Sequence, residues 1–573
     1  MKNADIATVF ENIADLLDLK GENRFKIRAY SRAAQIIQHL PDEMELMHEE
    51  GRDFQEIPGI GEAIAKKSVE LLTTNRLKFY DDLKSQFPEG IIGLMDIPGI
   101  GPKTAYRMAT ELKIGTIDQL EQAIRDGRVA SLERMGDKTA SNMLRAIETF
   151  RRKDRRIPLG EALPAVDEVL QALNKVSYVH NLTTAGSLRR FKETVGDIDI
   201  MGTADDPEAV ISAFVKLQQV RQVLAQGPTK ATVIVPGGLQ ADLRMVEPDS
   251  YGSLLQHFSG SKEHNVALRT RSQKQGLSLS EYGITETVTG KVHKFANEES
   301  FYAFLGLQYI PPEIREDMGE IDLAAKNEIP LLIEQKNIRG DFHAHTISSD
   351  GMDTVEDMAR AARVLGYEYL AITDHSSGRS QPADGKMERI RQQAAEIKKL
   401  NAAGMGIHLL HGTELDIRAD GSLDLPDEVL EQFDIVVAAV HSSFRQDREL
   451  MTRRIIGALE NPHVDILAHP TCRKIGEREP VDVDIEAVFR TALKFGKALE
   501  INAMPDRLDL KDLHVYRARE LGVKLMIGTD SHAVSHFGLM RFGIGVARRG
   551  WCRAEDVLNT RPLKDVLEFL NRE

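Results

Sequence analysis

This chain is poor in the features that mark secreted, membrane-bound and nucleic-acid-coating proteins. It has two cysteines, Cys472 and Cys552, too few for a disulfide framework. No apolar run is long enough to cross a membrane. The opening Met1-Lys2-Asn3-Ala4-Asp5 lacks the basic start and apolar core of a secretory signal. A cytoplasmic protein is the expectation. Basic charge is not in excess either: a net charge of −14 argues against a broad surface for coating nucleic acid. It leaves room for a local basic track, and one stands at Arg151-Arg152-Lys153-Asp154-Arg155-Arg156. The 573 residues, 42% of them hydrophobic, are an ordinary globular composition with length for several domains.

What is present is concentrated in repeats and in strand-end acids and imidazoles. Two near-identical segments stand in the first half, Ile57-Pro58-Gly59-Ile60-Gly61 and Ile97-Pro98-Gly99-Ile100-Gly101. Each follows one helical pattern and opens another. The glycines permit a tight turn whose amides, at the next helix N-terminus, can face a phosphate. Gly59, Gly61, Gly99 and Gly101 are therefore candidate DNA-backbone contacts in a pair of helix-hairpin-helix motifs, which hold DNA without reading its sequence. One copy alone would read as a plain helix turn. Met135-Gly136-Asp137-Lys138-Thr139-Ala140 is a degenerate third copy or such a turn.

Further on, Gly196-Asp197-Ile198-Asp199-Ile200 places two carboxylates on one face of a strand. That spacing suits two divalent ions held about 3.5–4 Å apart. Asp242, in the alternating Leu239-Gln240-Ala241-Asp242-Leu243, is the candidate third carboxylate. Surface acids at a strand end are the plain alternative. The preceding Ala185-Gly186-Ser187, able to approach a triphosphate closely, favours a nucleotidyltransferase.

In the second half, short apolar runs end repeatedly on histidine or a carboxylate: Asp341-Phe342-His343-Ala344-His345, Tyr369 to Thr373 before Asp374-His375, His411-Gly412-Thr413-Glu414, Ile435 to Val440 before His441, Ile466-Leu467-Ala468 before His469, and Lys524 to Thr529 before Asp530-Ser531-His532. Such runs read as strands buried on both faces. Helical patterns between them predict a parallel sheet wound as a barrel, with its chemistry at the C-terminal strand ends. A lone histidine would be a core residue; seven at strand ends with carboxylates point to a metal centre. The mixed N/O donors suit Zn, Mn or Fe better than Mg or Ca, and the residues alone predict a multinuclear hydrolase. Asp374 and Glu500 also stand at strand ends. Asp374 is expected either to orient a ligating histidine or to cap a helix.

His343-Ala344-His345 with Ser349-Asp350-Gly351 and the later donors resembles the polymerase and histidinol phosphatase (PHP) domain, from about Ile338 to the C-terminus. The resemblance implies a distorted (β/α)7 barrel with three divalent ions, Mn2+, Zn2+ or Fe2+. One would be held by His343, His345, Glu414 and Asp530, a second by Glu414, His441 and His469, and a third by Asp350, His375 and His532. Phe342 stands where leucine is more usual, a change expected to affect packing only.

The first half resembles the family X, polymerase beta-like DNA polymerases, up to about Met318. By that resemblance Asp197, Asp199 and Asp242 hold Mg2+ or Mn2+ and Asp242 activates the primer 3′-hydroxyl. Arg156, Gly186, Ser187 and Arg190 would bind the triphosphate. His257-Phe258-Ser259-Gly260-Ser261, continuing to Asn265 and Arg269, is the thumb signature, with Asn265 at the nascent base pair and Arg269 on the template side. His257 departs from the usual Tyr-Phe pair, so exclusion of ribonucleotides rests on Phe258. Lys67 falls where lyase members place a Schiff-base lysine, which needs a neutral amine; Lys66 is the adjacent cation that would favour one. Two lysines touching phosphate is the other reading.

The resulting expectation is a multidomain chain. A small helical DNA-binding domain (1–82) and fingers (83–150) precede an α+β palm (151–245) and thumb (246–320). A restrained, partly helical linker (321–337) leads to the metal-dependent phosphoesterase barrel (338–573). The expected activity is short-gap DNA repair synthesis on gapped or primed DNA with dNTPs. A 3′→5′ exonuclease would accompany it, with abasic-site endonuclease and 3′-phosphatase further activities, on a monomer without membrane attachment. Two alternatives remain: a small-molecule phosphatase barrel, or a first half that is a non-catalytic DNA clamp for the nuclease.

Overall fold

Hydrophobic spacing divides the chain before any site is considered. The computed structural model describes all residues except 1–2, 39, 41–43, 50, 58, 89, 96, 98–99, 133–134, 137–138, 145–146, 148–155, 177–178, 377–384 and 571–573. It forms two compact units, Met1–Arg155 and Arg156–Glu573. Gly99 and most of the basic track at 151–156 lie outside the described residues; Arg156 is within them.

The first unit is helical. Its two repeats fold alike because their apolar residues occupy equivalent inward positions: Ile57, Ile60, Ile97 and Ile100 are all buried. In each copy a tight turn returns an amide to the first isoleucine, Ile60 N to Ile57 O and Ile100 N to Ile97 O, both at 3.0 Å. Gly61 then caps the helix Glu62–Thr74, and Gly101 caps Pro102–Glu111. The helix Lys78–Lys84 runs through the expected 82/83 division.

The second unit begins with a five-stranded mixed sheet. Its strands are β1 (Val179–Thr184), β2 (Asp197–Ala204), β3 (Gln222–Gln226), β4 (Lys230–Ile234) and β5 (Gln240–Met245), in the order β1-β2-β5-β4-β3. Only β2 and β5 pair in parallel. Ile198, Ile200 and Leu243 face the helices Leu159–Leu173 and Pro207–Phe214, which leaves the alternate face to the acids. The thumb follows. Helices Tyr251–Ser259 and Lys262–Gln273 lead into an antiparallel sheet of β6 (Leu277–Ser280), β7 (Gly283–Glu286) and β8 (Val292–His293).

The barrel strands are β9 (Gly340–Asp341), β10 (Tyr369–Ile372), β11 (His408–Asp416), β12 (Ile435–Ala439), β13 (Ile466–Leu467), β14 (Ala498–Asn502) and β15 (Lys524–Gly528). All are parallel and adjacent in chain order. A bridge between Ala344 and Ser531, beyond β9 and β15, brings the sheet nearly to closure. Phe342, Tyr369, Leu410, Val437, Ile466 and Met526 fill one cluster with Val566 and Leu570 of the helix Leu563–Leu570. Phe342 packs on Tyr369, ring centroids 5.2 Å apart. The stretch read as a linker is helical over Glu320–Lys326, and Ile333 N donates to Cys552 O at 2.9 Å. Palm and barrel share one buried cluster, in which a Cβ on Gly545 would lie 2.0 Å from the Phe191 ring.

Candidate active sites

The first centre sits on the palm sheet. Parallel pairing sets Asp199 of β2 opposite Asp242 of β5, and the two-residue period adds Asp197 to the same face. Asp242 is fixed by two donors, Thr232 Oγ1 at 2.5 Å and Gln240 Nε2 at 2.6 Å. Burial, then the charges of Asp197 and Asp242, push Asp199 up to about 7. Repulsion of this kind is relieved by a divalent cation, so these carboxylates fit one. Gly186 has φ +61°, and a Cβ there would lie 2.8 Å from Asp199 Oδ2. Only glycine lets this turn pass so close to the acids, and Ser187 follows it in the short helix Gly186–Arg189.

Arg156 Nε donates to Thr194 Oγ1 at 2.8 Å, within range of the charges on Asp197 and Arg190. Arg190 reaches the thumb, Nε donating to Glu316 Oε1 at 3.1 Å and Nη1 to Ser259 O. Gly260 lies against it, with a Cβ position 2.9 Å from Arg190 Nη1. On the thumb, Asn265 Nδ2 donates to His257 O at 2.8 Å, and Arg269 Nη2 lies 3.4 Å from His257 Nδ1. The Phe258 ring carries the Arg244 guanidinium of β5 at 4.5 Å. Of the expected nucleotide-binding residues, Gly186 lies directly against Asp199, Gly260 against Arg190, and Asn265 and Arg269 against His257.

In the first unit Gly59 has φ +93°, and a Cβ there would meet Ile36 Cδ1 at 2.5 Å. Gly61 and Gly101 are the N-cap residues of their helices and, having no side chain, supply no acceptor to the first-turn amides. Lys67 Nζ sits 4.9 Å above the Phe79 ring and donates to Ala63 O at 3.4 Å. Lys66 Nζ pairs with Glu62 Oε1 at 2.7 Å. Lys26, 3.5 Å from Glu22, lies 5.7 Å from the same Phe79 ring and is a second cation near Lys67.

The second centre lies at the C-terminal mouth of the barrel. Three overlapping groups bring donor atoms within 4.8 Å of one another: His343, His345 and Asp530; His375, Glu414 and His441; and His345, Asp350, His375 and His532. His441 Nε2 and His469 Nε2 each lie 3.0 Å from Glu414 Oε1. Relative to the expected sets, His345 also joins the Asp350 group and His375 also joins the Glu414 group. Buried nitrogens point the same way: His343 Nε2 and both ring nitrogens of His345 have no hydrogen-bond partner among the described residues. His345 Nε2 lies 3.2 Å from Asp530 Oδ1. Imidazole nitrogens aimed at carboxylates without bonding them fit metal ligation. Burial disfavours charge on His343, yet Glu500, Asp530 and Glu414 more than offset this and raise its pKa well above the usual value. The field that favours a proton there equally favours a cation.

Two strand-end expectations are corrected. His411 does not face the centre; the alternation that turns Glu414 inward turns His411 outward, onto the Phe433 ring at 4.7 Å. Six of the seven histidines therefore converge. Asp374 neither orients a histidine nor caps a helix. It accepts from Thr346 N at 2.8 Å, Thr346 Oγ1 at 2.6 Å and Gln393 Nε2 at 2.5 Å, and so anchors the loop after His345.

The orienting carboxylates are others. Glu500 Oε1 lies 2.7 Å from His343 Nδ1, and Oε2 accepts from His469 N at 2.7 Å. Asp416 Oδ1 lies 2.5 Å from His441 Nδ1. Asn502 Nδ2 donates to Asp530 Oδ2 at 3.1 Å and to Glu500 Oε2 at 3.2 Å. The i, i+2 spacing of Glu414 with Asp416, and of Glu500 with Asn502, was the available signal.

Family models match along the chain: a helix-hairpin-helix domain at residues 1–77, a SAM-like helix-hairpin-helix tandem at 91–149, the DNA polymerase beta thumb at 254–316 and the PHP domain at 341–504. The tandem spans the second glycine repeat and residues 135–140. With the fold and the two centres, these define a family X type polymerase joined to a PHP domain. The DNA polymerase/3′-5′ exonuclease PolX of Bacillus subtilis (strain 168) is 38% identical over 574 residues, covering 100% of both chains. The chain belongs to that PolX family. The barrel also resembles a probable phosphatase of Thermoanaerobacter sp. (strain X514), 32% identical over 38% of this chain and 89% of that protein. A probable phosphatase of Acetivibrio thermocellus is 33% identical over 34% and 78%. No helix among the described residues is long and apolar enough to cross a membrane.

Proposed function

We propose that this chain fills short gaps in primed DNA by template-directed nucleotidyl transfer, and that its barrel hydrolyses phosphoesters at the DNA 3′ end. The observation that carries the reading is the pairing of two separate acid centres in one folded unit: Asp197, Asp199 and Asp242 on the palm, and the histidine-carboxylate groups at the barrel mouth. Full-length likeness to a DNA polymerase/3′-5′ exonuclease supports it.

In the palm, Asp197, Asp199 and Asp242 would hold Mg2+ or Mn2+. Bound divalent ions stabilise the charge that develops on the attacking and leaving oxygens. Asp242, held by Thr232 and Gln240, accepts the primer 3′-hydroxyl proton as that oxygen bonds to the α-phosphorus and pyrophosphate leaves in line. Arg156, Gly186, Ser187 and Arg190 hold the triphosphate, with Gly260 packed on Arg190. Phe258 and His257 border the sugar, Asn265 the nascent base pair and Arg269 the template. Gly59, Gly61, Gly99 and Gly101 are the residues that would hold the DNA backbone.

In the barrel, His343, His345, Asp350, His375, Glu414, His441, His469, Asp530 and His532 would hold Mn2+, Zn2+ or Fe2+, with Glu500 orienting the His343 imidazole and Asp416 that of His441. The activities are 3′→5′ exonuclease, abasic-site endonuclease and 3′-phosphatase. Lys67, with Lys26 nearby, is the candidate for a 5′-deoxyribose-phosphate lyase. The protein acts in the cytoplasm as a monomer. The barrel's likeness to probable phosphatases favours a second reading, a small-molecule phosphatase. A labelled primer in a short-gapped duplex with Mn2+, with and without dNTPs, separates the two when run beside a small phosphomonoester. Extension with dNTPs and 3′ shortening without them are expected; hydrolysis of the phosphomonoester alone would overturn the DNA reading.

A further inference from the structure

Arg190 is not held by the palm alone. Its Nε donates to Glu316 Oε1 at 3.1 Å and its Nη1 to Ser259 O, both on the thumb. The barrel grips the same group from behind. Arg549 ends the helix Met540–Arg549, and its Nη1 donates to Arg190 O at 2.7 Å and to Glu316 Oε1 at 3.0 Å. The other edge of its guanidinium is fixed within the barrel, Nε and Nη2 each lying 2.7 Å from Asp512 Oδ2. Lys192 Nζ stands 3.5 Å from the shared Glu316 oxygen. The side chains of Glu316 and Arg549 are 6% and 5% exposed.

Burying such a cluster costs desolvation, and an apolar contact would serve stability as well; what the charged version adds is a defined geometry. A planar guanidinium with both edges engaged has little freedom. Here one nitrogen, Nη1, fixes the main-chain carbonyl of Arg190 and the carboxylate that orients the Arg190 side chain, while Nε and Nη2 hold the plane against Asp512. Errors of about 1 Å in a substrate-holding group cost up to about 100-fold in rate, so the cluster's geometry bears on the polymerase centre.

We propose that Arg549 is a positioning residue for nucleotide binding: through Glu316 and the Arg190 carbonyl, the phosphoesterase barrel sets the direction of the guanidinium that takes the incoming triphosphate. The proposal rests on the reading of Arg190 given above. Polymerisation then needs the barrel's structure and not its chemistry.

The test compares wild type, Arg549→Met, Arg549→Lys and Arg190→Ala as full chains. Gap extension is titrated with dNTP, and 3′ hydrolysis is measured on the same preparations. Arg549→Met should raise KM for dNTP about 10-fold or more, with KM for DNA and the hydrolysis rate unchanged. Arg549→Lys, which keeps the charge but cannot fork, should recover only part of the loss. Unchanged KM for dNTP in Arg549→Met alongside a defective Arg190→Ala would overturn the relay alone. A parallel fall of both activities in Arg549→Met and Arg549→Lys would make the residue a structural tie and overturn the proposal. Unchanged KM for dNTP in Arg190→Ala would overturn the triphosphate role beneath it.

Discussion

Glu500→Gln isolates the buried carboxylate that serves two histidines of the barrel centre. Its Oε1 lies 2.7 Å from His343 Nδ1, and its Oε2 accepts from His469 N at 2.7 Å. Glutamine keeps one carbonyl oxygen, so one of these two donors must face an NH2 group. Losing one charge-assisted hydrogen bond costs about 1.5–3 kcal/mol. That matches the 10- to 100-fold drop in metal affinity typical when an orienting partner is removed, roughly 1.4–2.7 kcal/mol. The assay is the Mn2+ dependence of 3′ hydrolysis, with gap extension as the internal control. Gly528→Ala provides an independent route to the same defect: a Cβ there would lie 2.0 Å from Glu500 Oε1 and 2.9 Å from His343 Cβ, displacing the carboxylate without altering its charge. An apparent Mn2+ affinity shifted by less than about twofold (~0.4 kcal/mol) in both variants would refute the orienting role.

Three further outcomes follow from other parts of the molecule. Gly59→Ala, at φ +93°, should cost about 1–3 kcal/mol in strain and weaken DNA binding, whereas Gly61→Ala, with open space where its Cβ would lie, should cost far less; calorimetric unfolding with a gapped-duplex binding assay compares them. Burial would raise the Glu316 pKa, but Arg549, Lys192 and Arg190 hold it at about 2. An unfolded glutamate titrates near ~4.3, so this contribution is present above that pH and is lost as pH falls towards about 2. Glu316→Gln should lower stability at neutral pH and flatten its decline in acid, read from thermal midpoints across pH. DNA affinity should fall steeply and log-linearly with salt, because phosphate contacts lead binding; a flat response would contradict the turn assignments.

Much of the second unit was legible because its strands are unusual in composition. Ile435 to Ala439 and Leu525 to Gly528 are continuous apolar runs, the mark of strands covered on both faces, and the donors follow directly. The legibility fails where a side chain's role depends on a distant partner. Glu500 and His343 are 157 residues apart, and nothing local tells Glu500, which orients a histidine, from Asp374, which anchors a loop. His411 fails for a different reason: it lies inside β11 on the outward phase, and a strand-end reading ignores phase. Lys26 was missed because it comes from another helix, and only the Phe79 ring it shares with Lys67 brings the two together. The Arg190–Glu316–Arg549 cluster has no periodic signature at all, because its members come from the palm, thumb and barrel.

The measurement that tests the account most directly uses one gapped duplex with a labelled primer and Mn2+, comparing wild type, Asp199→Ala and His343→Ala with and without dNTPs. Two independent centres predict that Asp199→Ala loses extension and keeps 3′ shortening, while His343→Ala loses shortening and keeps extension. Loss of both activities in either variant, or retention of both, would contradict the assignment of one reaction to each centre.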